Sequence, residues 1–304
     1  MSSAAEAITL PSTARWSVRV VHSDHPKPLL DVDVDRVCAT ASIGKVLLLV
    51  TVAGRVESGE LRADAQVSRA NLEHIADSGL WQHLDVDHLS VADLCALVGA
   101  TSDNLATNAL IASVGLDAVT HTGRRMGMTQ TALHDIVRDD RLPDHPSALS
   151  SGTASDLVLL CQNLVGEREV SPAVSSQVAR WLSANTDLSM VASAFGLDPL
   201  AHVDSDRGFR LWNKTGTTSG VRCDIGVVGH GAAPVTYAAL AHWTPQHPSD
   251  PTRDEVLYAM NEIGALIRGS LAGSTAAVVR NAYVDPQVVD LAKRANHLDH
   301  GHDR

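Results

Sequence analysis

The first 60 residues carry two different hydrophobic patterns, one after the other. Apolar and polar residues alternate over residues 16–21 and again over 29–34, and a polar, proline-containing stretch separates them. A period of two interrupted by a turn predicts a pair of short strands. After Ser42 the apolar residues become dense as far as Gly59, too continuous for a half-exposed helix, and this predicts a buried helix.

The middle of the chain has a helical period, which gives way to strands after Phe209. Helices are predicted over residues 90–98, 104–114, 116–126, 155–164 and 174–184. Ser90, with Asp93 three residues later, has the spacing of a capping box at the start of the first of these helices. Beyond Phe209 the pattern predicts three strands separated by Gly-rich turns, and then a long helix over about residues 253–271.

This order of elements predicts an α+β fold, with an antiparallel sheet flanked by helices and an all-helical insert lobe. The sheet lobe takes about residues 12–60 and 200–285, and the helical lobe takes about 61–199. A cleft between the two lobes is the expected place for a ligand. We predict a single catalytic domain over residues 1–304. Its C-terminal tail, residues 286–304, is predicted to contain a short helix.

Composition and charge exclude several classes of protein. The net charge of −11 and the aromatic content of 3% indicate no nucleic-acid partner, because neither a basic stripe nor a stacking platform is present. The longest near-apolar run, residues 46–53, is too short to span a bilayer, so no membrane partner is expected. No signal peptide is recognised at the N-terminus, and we expect a cytoplasmic protein with free cysteine thiols. Neither a metal nor an organic cofactor is implied.

Three short motifs each have an ordinary and a chemical interpretation. Ser42 stands three residues before Lys45, either as a helix cap or as a nucleophile whose proton a desolvated lysine accepts. The segment Ser-Asp-Asn from Ser102 is either another helix cap or a second hydroxyl beside a substrate-facing amide. The segment Lys-Thr-Gly from Lys214 ends a strand before a Gly-rich turn, and is either a hairpin turn or a site for a substrate carboxylate.

Taken together, the motifs are more specific than any one of them. They occur in the order S-x-x-K, S-D-N and K-T-G, and two of the chain's four lysines, Lys45 and Lys214, fill the two lysine positions. From about residue 15 to residue 271, the chain resembles the class A β-lactamase-like, penicillin-binding serine hydrolases. The resemblance includes the phrase ESGEL after the first motif and the run LSVADLCALVGATSDNLATNAL around the second.

The resemblance implies a role for each motif residue. Ser42 is expected to be the acylated nucleophile, Lys45 its proton acceptor, and Ser102 the relay that carries a proton to the leaving nitrogen. The substrate-binding residues that it implies are Asn104, Lys214, Thr215, Gly216 and Thr217. The backbone N–H groups of Ser42 and Thr217 are expected to form the oxyanion hole, which stabilises charge that develops only in the transition state.

The chain departs from the family pattern at the step that releases the acyl group. Class A enzymes use a glutamate, in the pattern ExxLN, to activate water. The best match here runs from Gln130 to His134, and Met128 stands where the family has an arginine. Glutamine cannot take a proton from water, so three outcomes stay open. The acyl-enzyme is long-lived, or another base such as His134, Asp135 or Asp140 acts, or the natural acceptor is an amine or alcohol.

These observations predict a serine hydrolase that forms an acyl-Ser42 intermediate and hydrolyses a β-lactam or a related amide or ester. The alternatives are a DD-peptidase or esterase on the same site, or a penicillin-binding sensor without turnover. In each case the partner is a small-molecule substrate. Arg222 lies near a position where many class A enzymes have an arginine. A gap-free count puts it one residue early, which predicts the opposite face of the strand.

Overall fold

An antiparallel sheet of five strands forms the centre of the protein. The computed structural model describes residues 8–73, 75–229, 233–247 and 250–275. The strands in this part of the chain are β1 (Arg15–His22), β2 (Leu30–Val32), β3 (Cys38–Ala39), β4 (Gln66–Ser68), β5 (His88–Ser90), β6 (Ala132–Leu133), β7 (Ser150–Gly152), β8 (Arg210–Thr218), β9 (Val221–Gly229) and β10 (Val235–His242). The central sheet has the order β2-β1-β10-β9-β8, so the first long strand pairs with the last.

Helices cover both faces of this sheet. They are α1 (Lys45–Ser58), α2 (Val91–Thr101), α3 (Asn104–Val114), α4 (Leu116–Arg125), α5 (Ala154–Val165), α6 (Pro172–Ser183) and α7 (Thr252–Thr275). On one face α7 buries apolar residues of β1 and β10, and on the other face α5 and the helical lobe bury apolar residues of β9 and β10. The fold is therefore α+β with a helical insert between two parts of one sheet, which confirms the predicted class.

Helix α1 is the centre of the helical lobe. Its residues from Lys45 to Ala53 are all buried, and it packs against α2, α3, α4 and α6. The helix ends at Ser58, and Gly59 follows in the left-handed conformation with φ of +79°, which a glycine adopts without steric cost. The dense apolar run that predicts a buried helix is thus explained by contacts on all sides.

Side-chain caps fix the starts of four helices. Ser90, Asp103, Thr153 and Ser171 each accept a hydrogen bond from the backbone N–H three residues later. A cap of this kind contributes about 1 kcal/mol. The capping interaction of Ser90 with Asp93 is confirmed, and Ser90 Oγ also lies 2.6 Å from Asp93 Oδ2.

Two small sheets were absent from the sequence prediction. Strands β3, β7 and β6 form one of them, and β4 and β5 form the other. Each strand has two or three residues, too few to show a period of two. No described helix combines the length and the hydropathy that a membrane span needs. The helix predicted in the tail at 286–304 lies outside the described residues.

Candidate active site

Residues of all three motif regions line one cleft between the sheet and the helical lobe. The cleft has a volume of about 770 Å³. Its wall includes Ser42 from the first motif, Asn104 from the second, and Thr217, which directly follows the third motif on β8. The rest of the wall comes from residues 76–78, the loop after β6, the turn after β8, and His242 with Trp243. A cleft of this size accommodates a small molecule.

Ser42 lies on a short 3-10 helix, Ala41–Gly44, that joins β3 to α1. Residues three apart eclipse each other in a 3-10 helix, so Ser42 and Lys45 project from the same side. The residue before the serine, Ala41, has φ of +47°, a strained conformation for a residue with a Cβ atom. The sequence predicts a plain α-helix here, and the tighter turn brings the serine to the cleft wall.

The Lys45 amine is fully buried and has three oxygen partners. Its Nζ donates to the Ser102 carbonyl at 2.7 Å and to Asn104 Oδ1 at 2.8 Å, and it lies 3.2 Å from Ser102 Oγ. Two of these partners can only accept a hydrogen bond, whereas the hydroxyl can also donate. A neutral amine has two N–H groups for the two acceptors and keeps one lone pair for a proton.

The electrostatic surroundings favour that neutral amine. Burial, followed by repulsion from Lys214, holds the pKa of Lys45 well below its usual value, although Asp103 and Asp77 act in the opposite direction. Desolvation of an ammonium group is the usual way in which a protein converts lysine to a general base. The Lys45 amine of the first motif therefore has the environment of a proton acceptor, and its three oxygen partners belong to the second motif.

The second motif forms the tight turn between α2 and α3. Ser102 has φ of +56°, and this left-handed conformation directs both its carbonyl and its hydroxyl to Lys45. Asp103 is buried and structural, because it caps α3 and accepts the backbone N–H groups of Leu80 (2.7 Å) and Trp81 (2.8 Å). Asp103, the central residue of the motif, thus stabilises the neighbouring loop at Leu80 and Trp81, and its carboxylate is not available to a ligand.

Asn104 joins the lysine to the opposite wall of the cleft. Its Oδ1 accepts from Lys45, its Nδ2 donates to the Ala76 carbonyl at 3.2 Å, and its backbone N–H donates to the Ser78 carbonyl at 3.0 Å. These three bonds use both ends of the amide and fix its orientation. The residue predicted to contact both lysine and substrate lies in the cleft wall and contacts the lysine.

The third motif is on β8, the strand at one edge of the sheet. Lys214 and Thr215 are buried and are not among the residues of the described cleft wall, and Lys214 Nζ donates to the Thr215 carbonyl at 2.8 Å. Burial lowers the pKa of Lys214 to about 8, against the attraction of Asp187 and Asp224. With a pKa of about 8, this lysine is largely protonated at neutral pH.

Gly216 allows β8 to approach the nucleophile segment closely. A Cβ atom on Gly216 would lie 2.3 Å from the Thr40 carbonyl oxygen and 3.3 Å from the backbone nitrogen of Ser42. Any side chain here would force the strand away from the 3-10 helix. The glycine of the motif is thus required by packing, and it places Thr217, the next residue, beside the Ser42 backbone.

The possible deacylation residues Gln130 and His134 are not among the residues of the described cleft wall. Both are exposed, and neither belongs to the cleft wall in the part of the chain that the structure describes. The Gln130 backbone N–H donates to Asp156 at 2.7 Å, and His134 Nε2 lies 2.8 Å from Ser151 Oγ. Pairing of β6 with β7 holds this segment along the outside of the lobe.

The residues that line the cleft come later in the same loop, starting at Val137. Asn108 fixes this residue with two hydrogen bonds, from the Val137 N–H to Oδ1 (2.8 Å) and from Nδ2 to the Val137 carbonyl (2.9 Å). Arg138, Asp139 and Arg141 then continue the wall. The sequence signal for this contact is Asn108 itself, a polar residue four positions after Asn104 on the same side of α3.

Two arginines hold the same loop around a buried carboxylate. Asp135 forms ion pairs with Arg138 (2.9 Å) and Arg141 (2.8 Å). Burial raises the pKa of Asp135, but the hydrogen bonds from both arginines outweigh burial and leave the pKa below its usual value. Asp139 reaches across the cleft, and both of its carboxylate oxygens lie 3.1 Å from the Ala76 N–H. The carboxylate of Asp135 is therefore occupied by the two arginines of its own loop and is not available as a base.

Arg222 is on the same face of the hairpin as Thr217. The register pairs these two residues directly, and directly opposed residues of an antiparallel pair project to the same side. Its Nη1 donates to the Thr218 carbonyl at 3.0 Å, and the guanidinium lies 5.8 Å from the ring of Trp243. A turn of two residues after β8 therefore places Arg222 next to the cleft rim.

The fold is that of the β-lactamase and transpeptidase type, and residues from all three motif regions line its cleft. A family model described as the β-lactamase enzyme family matches residues 2–270, and the chain belongs to that family. Met128, where class A enzymes have an arginine, is buried in the core of the helical lobe.

Solved structures with the same fold include both β-lactamases and penicillin-binding proteins. A β-lactamase from Sphaerobacter thermophilus is 24% identical, with a TM-score of 0.73 over 85% of this chain and 92% of that chain. An ancestral class A β-lactamase is 25% identical, with a TM-score of 0.70 over 85% and 95%. PBP-A is 16% identical, with a TM-score of 0.72 over 88% and 93%. The fold is thus common to proteins named as β-lactamases and to PBP-A.

Proposed function

We propose that the protein acylates itself at Ser42 with a β-lactam or a related ester or amide, and then hydrolyses the acyl group. The observation that carries this proposal is the buried Lys45 amine, whose partners leave one lone pair for a proton. Lys45 accepts the hydroxyl proton as Ser42 Oγ forms a bond with the carbonyl carbon. The backbone N–H groups of Ser42 and Thr217 bind the oxyanion, and each contributes about 3 kcal/mol in the transition state.

Breakdown of the first intermediate transfers the proton to the leaving group. The carbon–nitrogen bond of the substrate breaks, and Ser102, whose hydroxyl lies 3.2 Å from Lys45 Nζ, passes a proton to that nitrogen. Lys214 and Thr215 act from β8, and Thr217 contacts a substrate carboxylate from the cleft wall, with Arg222 close to it. A small molecule that bears an anionic group next to a reactive carbonyl is therefore the class of substrate.

Release of the acyl group requires a water molecule and a base near Ser42. Asp77 and Asp139 are the carboxylates of the described cleft wall. We assign the base to Asp139, because the Ala76 N–H fixes it across the cleft on the loop that contains Val137. Water adds to the acyl carbon, its proton passes through Asp139, and Ser42 Oγ leaves and recovers a proton.

A second candidate function is a penicillin-binding protein with slow release. It is favoured by the apolar Val137 at the cleft wall and by the location of Gln130 and His134 outside it. One of the structures that share the fold is a mutant of PBP-A as an acyl-enzyme complex with penicillin G, at 17% identity and a TM-score of 0.72. That complex belongs to PBP-A, and it motivates the same measurement on this chain.

Incubation with a chromogenic cephalosporin, followed by intact mass analysis, separates the candidates. Steady colour release supports hydrolysis, and a stable adduct without turnover supports slow release. Ser42→Ala should abolish both signals. Ser147→Ala is the matched control, because Ser147 also lines the cleft and has no role in the proposed chemistry. If Ser42→Ala keeps full activity, the proposal is wrong.

A further inference from the structure

A buried polar cluster lies next to the third motif, on the sheet face of Thr215 and opposite to that of Lys214. Its centre is Asp224 on β9, which is fully buried and pairs in register with Thr215. Asp224 Oδ1 accepts from Asn213 Nδ2 (3.0 Å) and from the Tyr237 hydroxyl (3.2 Å), and its Oδ2 accepts from the Val191 N–H (3.0 Å). None of these atoms takes part in the chemistry assigned above.

The carboxylate of Asp224 has no cationic contact partner in the described ranges. The ion pairs there do not include it, and its hydrogen-bond donors are an amide, a phenol and a backbone N–H. Burial raises the pKa of Asp224 to about 7, against the hydrogen bonds from Asn213 and Tyr237. An isolated buried carboxylate is costly, so its charge needs an explanation beyond packing.

The negative charge of Asp224 stabilises the charged form of Lys214, which is on the neighbouring strand β8. Lys214 precedes Thr215, the register partner of Asp224, and its Nζ bonds to the Thr215 carbonyl. Asp224 and Asp187 both favour the charged form of Lys214. The effect on Lys45 is the opposite. After burial, the positive charge of Lys214 is the next largest influence, and it lowers the pKa of Lys45 and favours the neutral amine.

The other titratable groups around Asp224 do not supply an opposite charge. Tyr237 approaches from β10, and burial raises its pKa well above the usual value, so it stays neutral. Cys161 approaches from α5, and burial likewise raises the pKa of its thiol. Asp187, in the segment after α6, carries a negative charge like Asp224 itself. Among the described residues, Lys214 is a cation on which the charge of Asp224 acts.

We propose that Asp224 is a positioning residue that keeps Lys214 protonated, so that Lys45, and not Lys214, is the neutral base. The assignment rests on the proposed function of Ser42 and its lysine. It gives the two buried lysines different roles in the same reaction. Lys214 keeps its charge for a substrate anion, and this charge in turn helps to keep Lys45 neutral.

The chain offers a direct test, because it has only four lysines: Lys27, Lys45, Lys214 and Lys293. The full-length protein with ¹³C-ε-labelled lysine gives four NMR signals whose titration is followed from pH 5 to 11. Lys214→Arg and Lys45→Arg assign the two buried ones. In Asp224→Asn, the Lys214 titration should move down by about one pH unit, a tenfold change in its dissociation constant. The basic limb of the pH profile for acylation should move down by the same amount.

Asp156→Asn is the matched control. Asp156 is also a buried carboxylate and accepts the N–H groups of Thr129 and Gln130. It is not among the groups that shift the pKa of Lys45 or Lys214, so its replacement should leave the lysine titrations unchanged. Tyr237→Phe is a second variant, which keeps the carboxylate and removes one donor. It should shift Lys214 in the same direction by a smaller amount, and it covers the case in which Asp224→Asn does not fold.

The outcomes are distinguishable from failure of the proposed function. An unchanged Lys214 titration in Asp224→Asn, or in Tyr237→Phe if that is the folded variant, overturns the role of Asp224 even where β-lactams acylate Ser42. A shifted titration without any reaction with β-lactams leaves the charge assignment intact and rejects the substrate class. A shift of equal size in Asp156→Asn would show a general loss of structure and would also overturn the proposal.

Discussion

The nucleophile region and the loop after β6 face each other across one cleft, but they are built differently. Lys45 is fully buried on α1, and its polar contacts are with Ser102 in the turn between α2 and α3 and with Asn104 at the start of α3. The opposite loop has short strands at its ends and depends on a few long-range contacts, such as those of Asn108 with Val137. The region for acylation is held mainly by long helices and strands whose pattern is visible in the sequence, whereas the region for release is held mainly by contacts of single side chains.

The largest expected effect is on acylation, the step assigned to the region around Lys45. Lys45→Ala should slow acylation by about 10³-fold, because it removes the positioned base from the hydroxyl. The measurement is the rate at which the intact mass of the protein increases with a β-lactam. Lys27→Ala is the control, since Lys27 is exposed on the connection between β1 and β2. Acylation by Lys45→Ala at the rate of the unmodified protein would contradict the assignment of the base.

Close packing at Gly216 gives the next effect. Gly216→Ala places a Cβ atom 2.3 Å from the Thr40 carbonyl, and should reduce acylation at least about tenfold and destabilise the protein by about 1–3 kcal/mol. Kinetics and denaturant unfolding report the two losses separately. Gly54→Ala is the control: a Cβ there meets no atom within 4 Å, and alanine in a helix should stabilise by about 1 kcal/mol. Equal behaviour of the two variants would show that the close approach is unimportant.

The release side is tested by moving a carboxylate between two positions of the loop. Val137→Glu puts the carboxylate on the cleft wall and should accelerate release of the acyl group about tenfold or more, within the range of general base catalysis. Gln130→Glu puts it on the outside and should change nothing. The measurement is the decay of the acyl adduct after removal of excess ligand. Faster release in Gln130→Glu than in Val137→Glu would show that the position of Gln130, and not that of Val137, corresponds to the family glutamate.

The smallest expected effect concerns the stability of that loop. Asp135 has a pKa below its unfolded value, so the arginine contacts stabilise the fold above the unfolded pKa near 4, and this contribution is lost as pH falls through the folded pKa. Asp135→Asn should therefore lose about 1–3 kcal/mol at pH 7 and less at pH 3. Urea unfolding at both values measures this difference. An equal loss at both would exclude the ionised form as the source.

The sequence was sufficient for the elements that have a regular period and for the three motifs. It failed where geometry depends on one contact. The 3-10 helix at Ala41–Gly44 is too short to have a period of its own, and the true cleft residue of the loop, Val137, is apolar and matches no motif. Asp224 gave no signal either, since its importance comes from a strand register and from burial that only the folded chain creates.

The central claim is that Ser42 is acylated, and intact mass analysis with penicillin G tests it most directly. Opening of a lactam ring releases no fragment, so the adduct should add the whole mass of the ligand. Peptide mapping should place it on Ser42, and Ser42→Ala should show none. A protein that shows neither adduct nor turnover at millimolar ligand, or an adduct on another residue that persists in Ser42→Ala, would contradict the account.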